Sequence, residues 1–215
     1  MQIRKSINIL RREYKLNKLS EETVQKNPVK QFEIWFEDVI KIGLYQQNAM
    51  ILATANKRKE PTARVVLMKA FSNLGFKFFT NYKSLKGKDL FENTNASLLF
   101  YWAELERQVR IEGKIKKLPR SESKKYFDSR PLESRIAAWA SDQSKIIPDR
   151  EYLELQYKKF EERFSAKKIP LPPNWGGYIL VPHYFEFWQG RESRLHDRIC
   201  HKKQKGRWKI FRLAP

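Results

Sequence analysis

The sequence predicts a mainly β protein, a barrel of short antiparallel strands with helices at its periphery. Three observations carry that reading. Apolar segments of strand length recur between clusters of turn-forming residues. One of them, Arg107–Lys117, alternates cleanly: Val109, Ile111 and Ile115 face one way, and Gln108, Arg110, Glu112, Lys114 and Lys116 the other. The strands also follow one another without the helical crossovers that a parallel sheet needs, which leaves an antiparallel barrel or sandwich.

Residues 1–26 are polar and basic and read as a flexible arm, with 27–215 as a single domain. Asn27-Pro28 is a helix start, Asn as N-cap and Pro at the first helical position. Phe32, Trp35, Phe36, Val39 and Ile40 then recur at helical spacing, and Gly43 ends the helix. Strands are expected over 49–54, 63–69 and 76–80, separated by turn chemistry at 56–61 and 72–75. A short helix over 84–92 precedes strands over 96–102 and 107–117. Past Pro119 the period becomes helical, with segments at 121–130 and 132–140 divided by Pro131 and a longer amphipathic helix over 148–164. Pro170, Pro172 and Pro173 end that helix in extended chain. Strands return over 177–181, 184–189, 198–201 and 208–213.

A chain of 215 residues can bury a sizeable core, and 41% hydrophobic content excludes a disordered chain. No apolar run approaches the ~18 to 20 residues of a membrane span. Residues 1–12 are basic but lack the apolar core of a secretory signal. A single cysteine, Cys200, rules out an internal disulfide framework and fits a reducing, cytoplasmic compartment. The net charge of +20 points first to nucleic acid. The lysines are scattered, however (Lys15, Lys57, Lys116, Lys158, Lys202), so specific nucleic-acid binding is disfavoured, and net charge speaks weakly to function. Basic residues that bind small phosphorylated ligands have to be found by position.

Neither glycine-rich phosphate-binding motif is present, so a nucleotide-like cofactor must be held by scattered side chains. His183, His196, Cys200 and His201 make up a zinc ligand count, but adjacent Cys200 and His201 point to opposite faces of a strand, and Arg194 and Arg198 crowd a cation; no metal is expected. Three clusters remain. In Arg64-Val65-Val66-Leu67-Met68-Lys69 the two cations face opposite sides of a regular strand. Tyr126, Arg130 and Ser134 are spaced by four, so a phenol, a guanidinium and a hydroxyl meet near a helix start and suit a phosphate dianion. In residues 188–198, Arg194 and Arg198 flank His196 after an aromatic strand, a grouping that grips an anionic aromatic ligand and can move a proton. Read alone, these clusters also fit a plain strand, an Arg130 pair with Asp128 or Glu133, and a charged surface loop.

With the segments around them, these residues resemble the pyridoxine/pyridoxamine 5'-phosphate oxidase family. Arg11-Arg12-Glu13-Tyr14, Arg64–Lys69, Phe79-Thr80-Asn81, Glu106-Arg107-Gln108-Val109, Ser129-Arg130-Pro131, Gln143-Ser144, Trp175-Gly176-Gly177, Glu186-Phe187-Trp188-Gln189-Gly190, Arg194-Leu195-His196-Asp197-Arg198 and Arg212-Leu213-Ala214-Pro215 follow in the family's order along nearly the whole chain. The resemblance implies an FMN-binding split barrel, homodimeric, with FMN at the subunit interface. It also implies oxidation of pyridoxamine and pyridoxine 5'-phosphates to pyridoxal 5'-phosphate by O2, yielding H2O2. Carried over by position, FMN contacts fall on Arg64, Val65, Val66, Leu67, Met68, Lys69, Phe79, Thr80, Lys86, Gln108, Gln143, Ser144, Trp188 and Arg198. Lys69, Tyr126, Arg130 and Ser134 would hold the substrate phosphate. Arg194, Leu195 and His196 would flank the pyridine ring, with Arg194 and His196 catalytic. Arg11, Arg12, Glu13 and Tyr14 would close over it as a lid. Leu85 departs from the family's basic residue before Lys86, which predicts weaker FMN retention.

Overall fold

The strands are hydrogen-bonded in the order β2-β1-β5-β6-β7-β4-β3, with β8 on β7 and β9 on β8. They are β1 (Ala49–Ala55), β2 (Pro61–Leu67), β3 (Ala70–Ser72), β4 (Gly75–Asn81), β5 (Asn95–Trp102), β6 (Arg107–Lys117), β7 (Trp175–Gln189), β8 (Asp197–Gln204) and β9 (Arg207–Arg212). The helices are α1 (Pro28–Lys41), α2 (Leu85–Glu92), α3 (Arg120–Asp128), α4 (Leu132–Ala140) and α5 (Arg150–Phe164). This computed structural model describes residues 13–165 and 167–215. Arg11 and Arg12 lie outside the described residues. The expected class, mainly β with peripheral helices, holds, and none of the described helices is long and apolar enough to cross a membrane. The chain divides into two compact units, one of residues up to 47, 99–111 and 183–215, the other of 48–98 and 112–182.

In the first unit, Asn27 caps α1 by accepting the Val29 N–H at 3.0 Å, and Pro28 stands where no N–H is needed. The apolar stripe of α1 buries Phe32 against Phe100 (centroids 5.0 Å apart) and Trp35 edge-on to Phe187 (5.3 Å). Ile40, expected on the same face, is exposed. The Arg107 guanidinium lies over the Trp35 ring at 4.6 Å and donates to Asp38 at 2.8 Å, joining α1 to the start of β6. Strand β8 pairs antiparallel with the end of β7 and with β9.

In the second unit, β1 and β2 form an antiparallel hairpin with Leu52 opposite Arg64. β2 ends at Leu67, two residues before the expected end, and the reason is a change of partner. The Met68 N–H still bonds Asn48 O, whereas the Lys69 N–H bonds Lys77 O of β4. Residues 70–72 continue on β4 as β3, a strand too short to show a period in the sequence. Helices α3, α4 and α5 enclose a core of Phe127, Ile136, Phe164, Ile169 and Trp175. β7 is one strand where two were expected. Pro182 separates the stretch paired with β4 from the stretch paired with β8, so its missing N–H interrupts neither ladder.

Candidate functional site

The second unit contains a cavity of about 540 Å³. β2 lines it with Val65, Val66 and Leu67, and Lys69 follows where the chain changes partner. β4 adds Phe79 and Thr80, and α2 adds Lys86. Across from them stand Tyr126, Arg130 and Ser134 from the α3–α4 junction, with Gln143 beyond α4. Part of the expected FMN set (Val65, Val66, Leu67, Lys69, Phe79, Thr80, Lys86 and Gln143) and the expected phosphate grip therefore share one cavity, whereas Arg64, Met68, Gln108, Ser144, Trp188 and Arg198 do not line it.

Aromatic stacking sets the geometry of the grip. Phe79 stacks on Tyr126 at 4.0 Å and on Trp175 at 5.6 Å. Gly177 makes room for this, since a Cβ there would come within 2.7 Å of the Phe79 ring. The Arg130 guanidinium lies over Trp175 at 4.9 Å, and Lys69 Nζ sits 5.9 Å from the Tyr126 centroid. Arg130 Nη1 is buried and has no hydrogen-bond partner among the described residues. Burial lowers the Arg130 pKa, but a guanidinium stays charged at neutral pH. A buried cationic donor without an acceptor is costly, and an anion entering the cavity relieves that cost. The expected alternative partner of Arg130, Asp128, is instead paired with Lys124.

Lys86 and Arg64 form the other basic pair. Ser84 caps α2 by accepting the Gly87 N–H, which turns Lys86 inward, where it is 8% exposed. Its ammonium reaches only Thr80 Oγ1, at 3.4 Å, among the described residues. Burial and then the nearby Arg64 charge lower the Lys86 pKa. Arg64 donates to Leu52 O at 3.2 Å and to Thr54 Oγ1 at 2.7 Å and stands 3.7 Å from Asp89; it does not line the cavity. The buried Lys86, with Arg64 close behind it, beside a cavity rimmed by the exposed apolar Val65 and Leu67 fits a cofactor with a phosphate and a flat ring system, as FMN has. Leu85, at the first turn of α2, is half exposed and supplies no charge. Met68 is buried outside the cavity, and Ser144, at φ 72°, lines a neighbouring cavity of about 390 Å³ with Gln143.

The remaining expected residues lie in the first unit. Trp188 and His196 have ring centroids 4.6 Å apart, and Tyr14 meets both edge-on at 5.7 and 5.5 Å. His196 Nδ1 accepts the Arg191 N–H at 3.1 Å, which leaves Nε2 as the protonated nitrogen. Burial and then the Arg194 charge lower the His196 pKa, so the ring is neutral at pH 7. Arg194 is exposed, at the end of a tight turn where Ser193 (φ 55°) and Arg194 (φ 62°) are both left-handed. Such backbone costs on the order of 1 to 3 kcal/mol per residue and persists where the surrounding structure enforces it. Leu195 is exposed beside Arg194, Glu13 is exposed, and Gln108 is half-buried on β6. Arg198 donates to Glu186 Oε1 at 2.7 Å and to Ala214 O at 2.8 Å. Burial opposes ionisation of Glu186, yet hydrogen bonds from Arg198 and Arg110 hold its carboxyl below the ordinary range. Trp175, Asp89 and Glu186 carry parts of this architecture that residue spacing did not assign. Trp175 and Glu186 stand in segments that carry the family resemblance but were given no role there, and Asp89 was signalled only by its place in a helical run.

Comparison with known proteins gives a consistent picture. Residues 36–164 match the family model described as pyridoxamine 5'-phosphate oxidase, and residues 175–215 match the pyridoxine 5'-phosphate oxidase C-terminal dimerisation region. The chain is 50% identical over 210 residues to a pyridoxine/pyridoxamine 5'-phosphate oxidase of Acaryochloris marina, covering 98% of this chain and 96% of that one. It is 50% identical over 207 residues to the protein of the same name from Cupriavidus necator, covering 96% and 97%. Among solved structures it is similar to PhzG of Burkholderia lata, crystallised with tetrahydrophenazine-1-carboxylic acid, with a TM-score of 0.87, 29% identity and coverage of 93% and 99%. A pyridoxamine 5'-phosphate oxidase-related, FMN-binding protein of Nostoc punctiforme shares the fold, with a TM-score of 0.70, 15% identity and coverage of 89% and 100%.

Proposed function

The chain belongs to the pyridoxamine 5'-phosphate oxidase family, and on that premise we propose that it is a flavin-dependent oxidase converting pyridoxamine and pyridoxine 5'-phosphates to pyridoxal 5'-phosphate. FMN is the cofactor, O2 the electron acceptor and H2O2 the second product. FMN, held by these residues, would supply the two-electron redox chemistry between the substrate's C4' carbon and O2, with water consumed and ammonia released when the substrate is the amine. The observation that carries the reading is the unsatisfied Arg130 donor in a cavity it shares with Lys69, Tyr126 and Ser134. That grouping binds a phosphate monoester and gives a substrate without one nothing to neutralise it.

The chain's own groups divide the remaining work. Lys69, Tyr126, Arg130 and Ser134 hold the substrate phosphate, and Lys86 meets the cofactor phosphate, with the Arg64 charge close behind it outside the cavity. Arg194, too basic to accept a proton, positions the substrate and stabilises developing charge. His196, neutral with its proton on Nε2, is the group able to donate a hydrogen bond from Nε2 to the substrate. The match to a dimerisation region supports a homodimer, at whose subunit interface FMN is expected from the family resemblance, and the single cysteine supports a cytoplasmic location. Purified, FMN-loaded protein should consume oxygen on addition of pyridoxamine 5'-phosphate, with one H2O2 per aldehyde formed. Absence of uptake with both phosphorylated vitamers would reject the assignment.

A further inference from the structure

Glu106 has no part in the roles assigned above, yet it holds an unusual position. It is 3% exposed, and it sits in left-handed backbone (φ 54°) where the short turn Ala103–Leu105 leads into β6. Its carboxylate Oε2 accepts two consecutive backbone N–H groups from far away in sequence, Lys15 at 2.9 Å and Leu16 at 3.1 Å. Its own carbonyl accepts the Gly190 N–H at 2.8 Å and the Gln189 side chain at 3.2 Å. One residue therefore ties the segment that carries Tyr14 to the strand end that carries Trp188.

Among the described residues, the segment has little else to hold it there. Leu16 is half exposed, and the Lys15–Glu192 ion pair, at 3.5 Å, lies between side chains that are mostly solvated, where such pairs contribute little. The next tie along the chain is Leu19 N–H to Asp197, at 3.1 Å. The Tyr14 ring nonetheless rests directly on Gly190, where an added Cβ would lie 2.7 Å from Tyr14 Cδ1, and it meets both Trp188 and His196 edge-on. Charge-assisted bonds to a buried carboxylate are the strongest fixed contacts this segment makes among the described residues.

We propose that Glu106 is a positioning residue for the reaction, its carboxylate pinning the backbone at Lys15 and Leu16 so that Tyr14 is seated over the Trp188–His196 pair. This rests on the reading that His196 and Tyr14 serve the substrate. Glu106→Gln keeps the size and one acceptor oxygen but removes the charge that two amide donors share. Glu106 acts through Tyr14, so its effect vanishes when Tyr14 is already gone.

The test is a double-mutant cycle of Glu106→Gln and Tyr14→Ala on FMN-loaded protein, with amide hydrogen exchange measured alongside. Glu106→Gln should lower kcat/KM for pyridoxamine 5'-phosphate by about tenfold, a change of about 1.4 kcal/mol in transition-state stabilisation. In the Tyr14→Ala background the same substitution should change it by less than about twofold, since residues acting in series are not additive. Exchange at the Lys15 and Leu16 amides should accelerate in Glu106→Gln, with the Leu19 amide unchanged. Multiplying effects in the double variant, or unaltered protection at Lys15 and Leu16, would overturn the proposal. If the unsubstituted protein fails to turn over pyridoxamine 5'-phosphate, the functional reading falls. The exchange measurement then still decides whether Glu106 pins the segment.

Discussion

Replacing Arg130 with Met separates binding from stability, because the guanidinium is costly to the protein without a ligand and needed by it with one. Arg130 Nη1 is buried without an acceptor among the described residues, and an unsatisfied buried donor costs about 1 to 3 kcal/mol. Against that stands its stacking over Trp175 at 4.9 Å, worth about 0.5 to 2 kcal/mol. The two nearly cancel, so Arg130→Met should leave the unfolding free energy within about 1 kcal/mol of the parent. The substrate loses more. Two charge-assisted hydrogen bonds to a phosphate dianion, discounted for partial compensation by Lys69, amount to about 3 kcal/mol, or roughly a hundredfold in affinity. The phosphate does not change during the reaction, so the loss should appear as a raised KM with kcat little altered. Steady-state oxygen uptake with pyridoxamine 5'-phosphate, repeated with pyridoxamine lacking the phosphate, measures it. The preference for the phosphorylated substrate should collapse. A KM within about threefold of the parent, under 1 kcal/mol, would refute the assignment of Arg130 to the phosphate.

Two other outcomes follow from the site. His196 is held neutral by burial and by Arg194, so kcat/KM should stay level through neutral pH and fall only as pH drops below the ordinary histidine value of ~6.5. Arg194→Met should move that acid limb upward, and a limb already at or above ~6.5 in the parent would contradict the assignment. Leu85→Arg adds an exposed cation at the first turn of α2, next to Lys86, and should tighten FMN by a few-fold, about 0.5 to 1 kcal/mol for a solvated charge pair. Titration of FMN fluorescence reads this directly, and an unchanged dissociation constant would show that the departure at Leu85 costs nothing.

Much of the fold was legible because its signals are local. The Asn27-Pro28 helix start, the alternation along Arg107–Lys117 and the break at Pro131 each depend on residues close in sequence, and each appears at or near its expected place. What the sequence hid depends on partner exchange. Periodicity joined Arg64 and Lys69 in one strand with opposed side chains. In the structure the chain leaves β1 at Met68 and joins β4 at Lys69, which puts Lys69 in the cavity and Arg64 outside it. Two strands were expected over 177–181 and 184–189 because local reasoning cannot see that β7 continues between them and changes neighbours at Pro182. The site residues were found through ordered motifs; Trp175, Glu186 and Glu106 stand in the same motifs, but their roles come from contacts with residues distant in the chain. Spacing does not encode such contacts: the Glu106 carboxylate reaches back to Lys15 and Leu16.

The central claim is that a flavin held by this chain is reduced by a phosphorylated B6 vitamer. Its most direct test is the visible spectrum of the FMN-loaded protein under anaerobic conditions, before and after one equivalent of pyridoxamine 5'-phosphate. Loss of the flavin band near ~450 nm, restored by admitting oxygen with pyridoxal 5'-phosphate formed, is the expected result. A fully loaded protein whose flavin band is untouched by both pyridoxamine and pyridoxine 5'-phosphates would contradict the account.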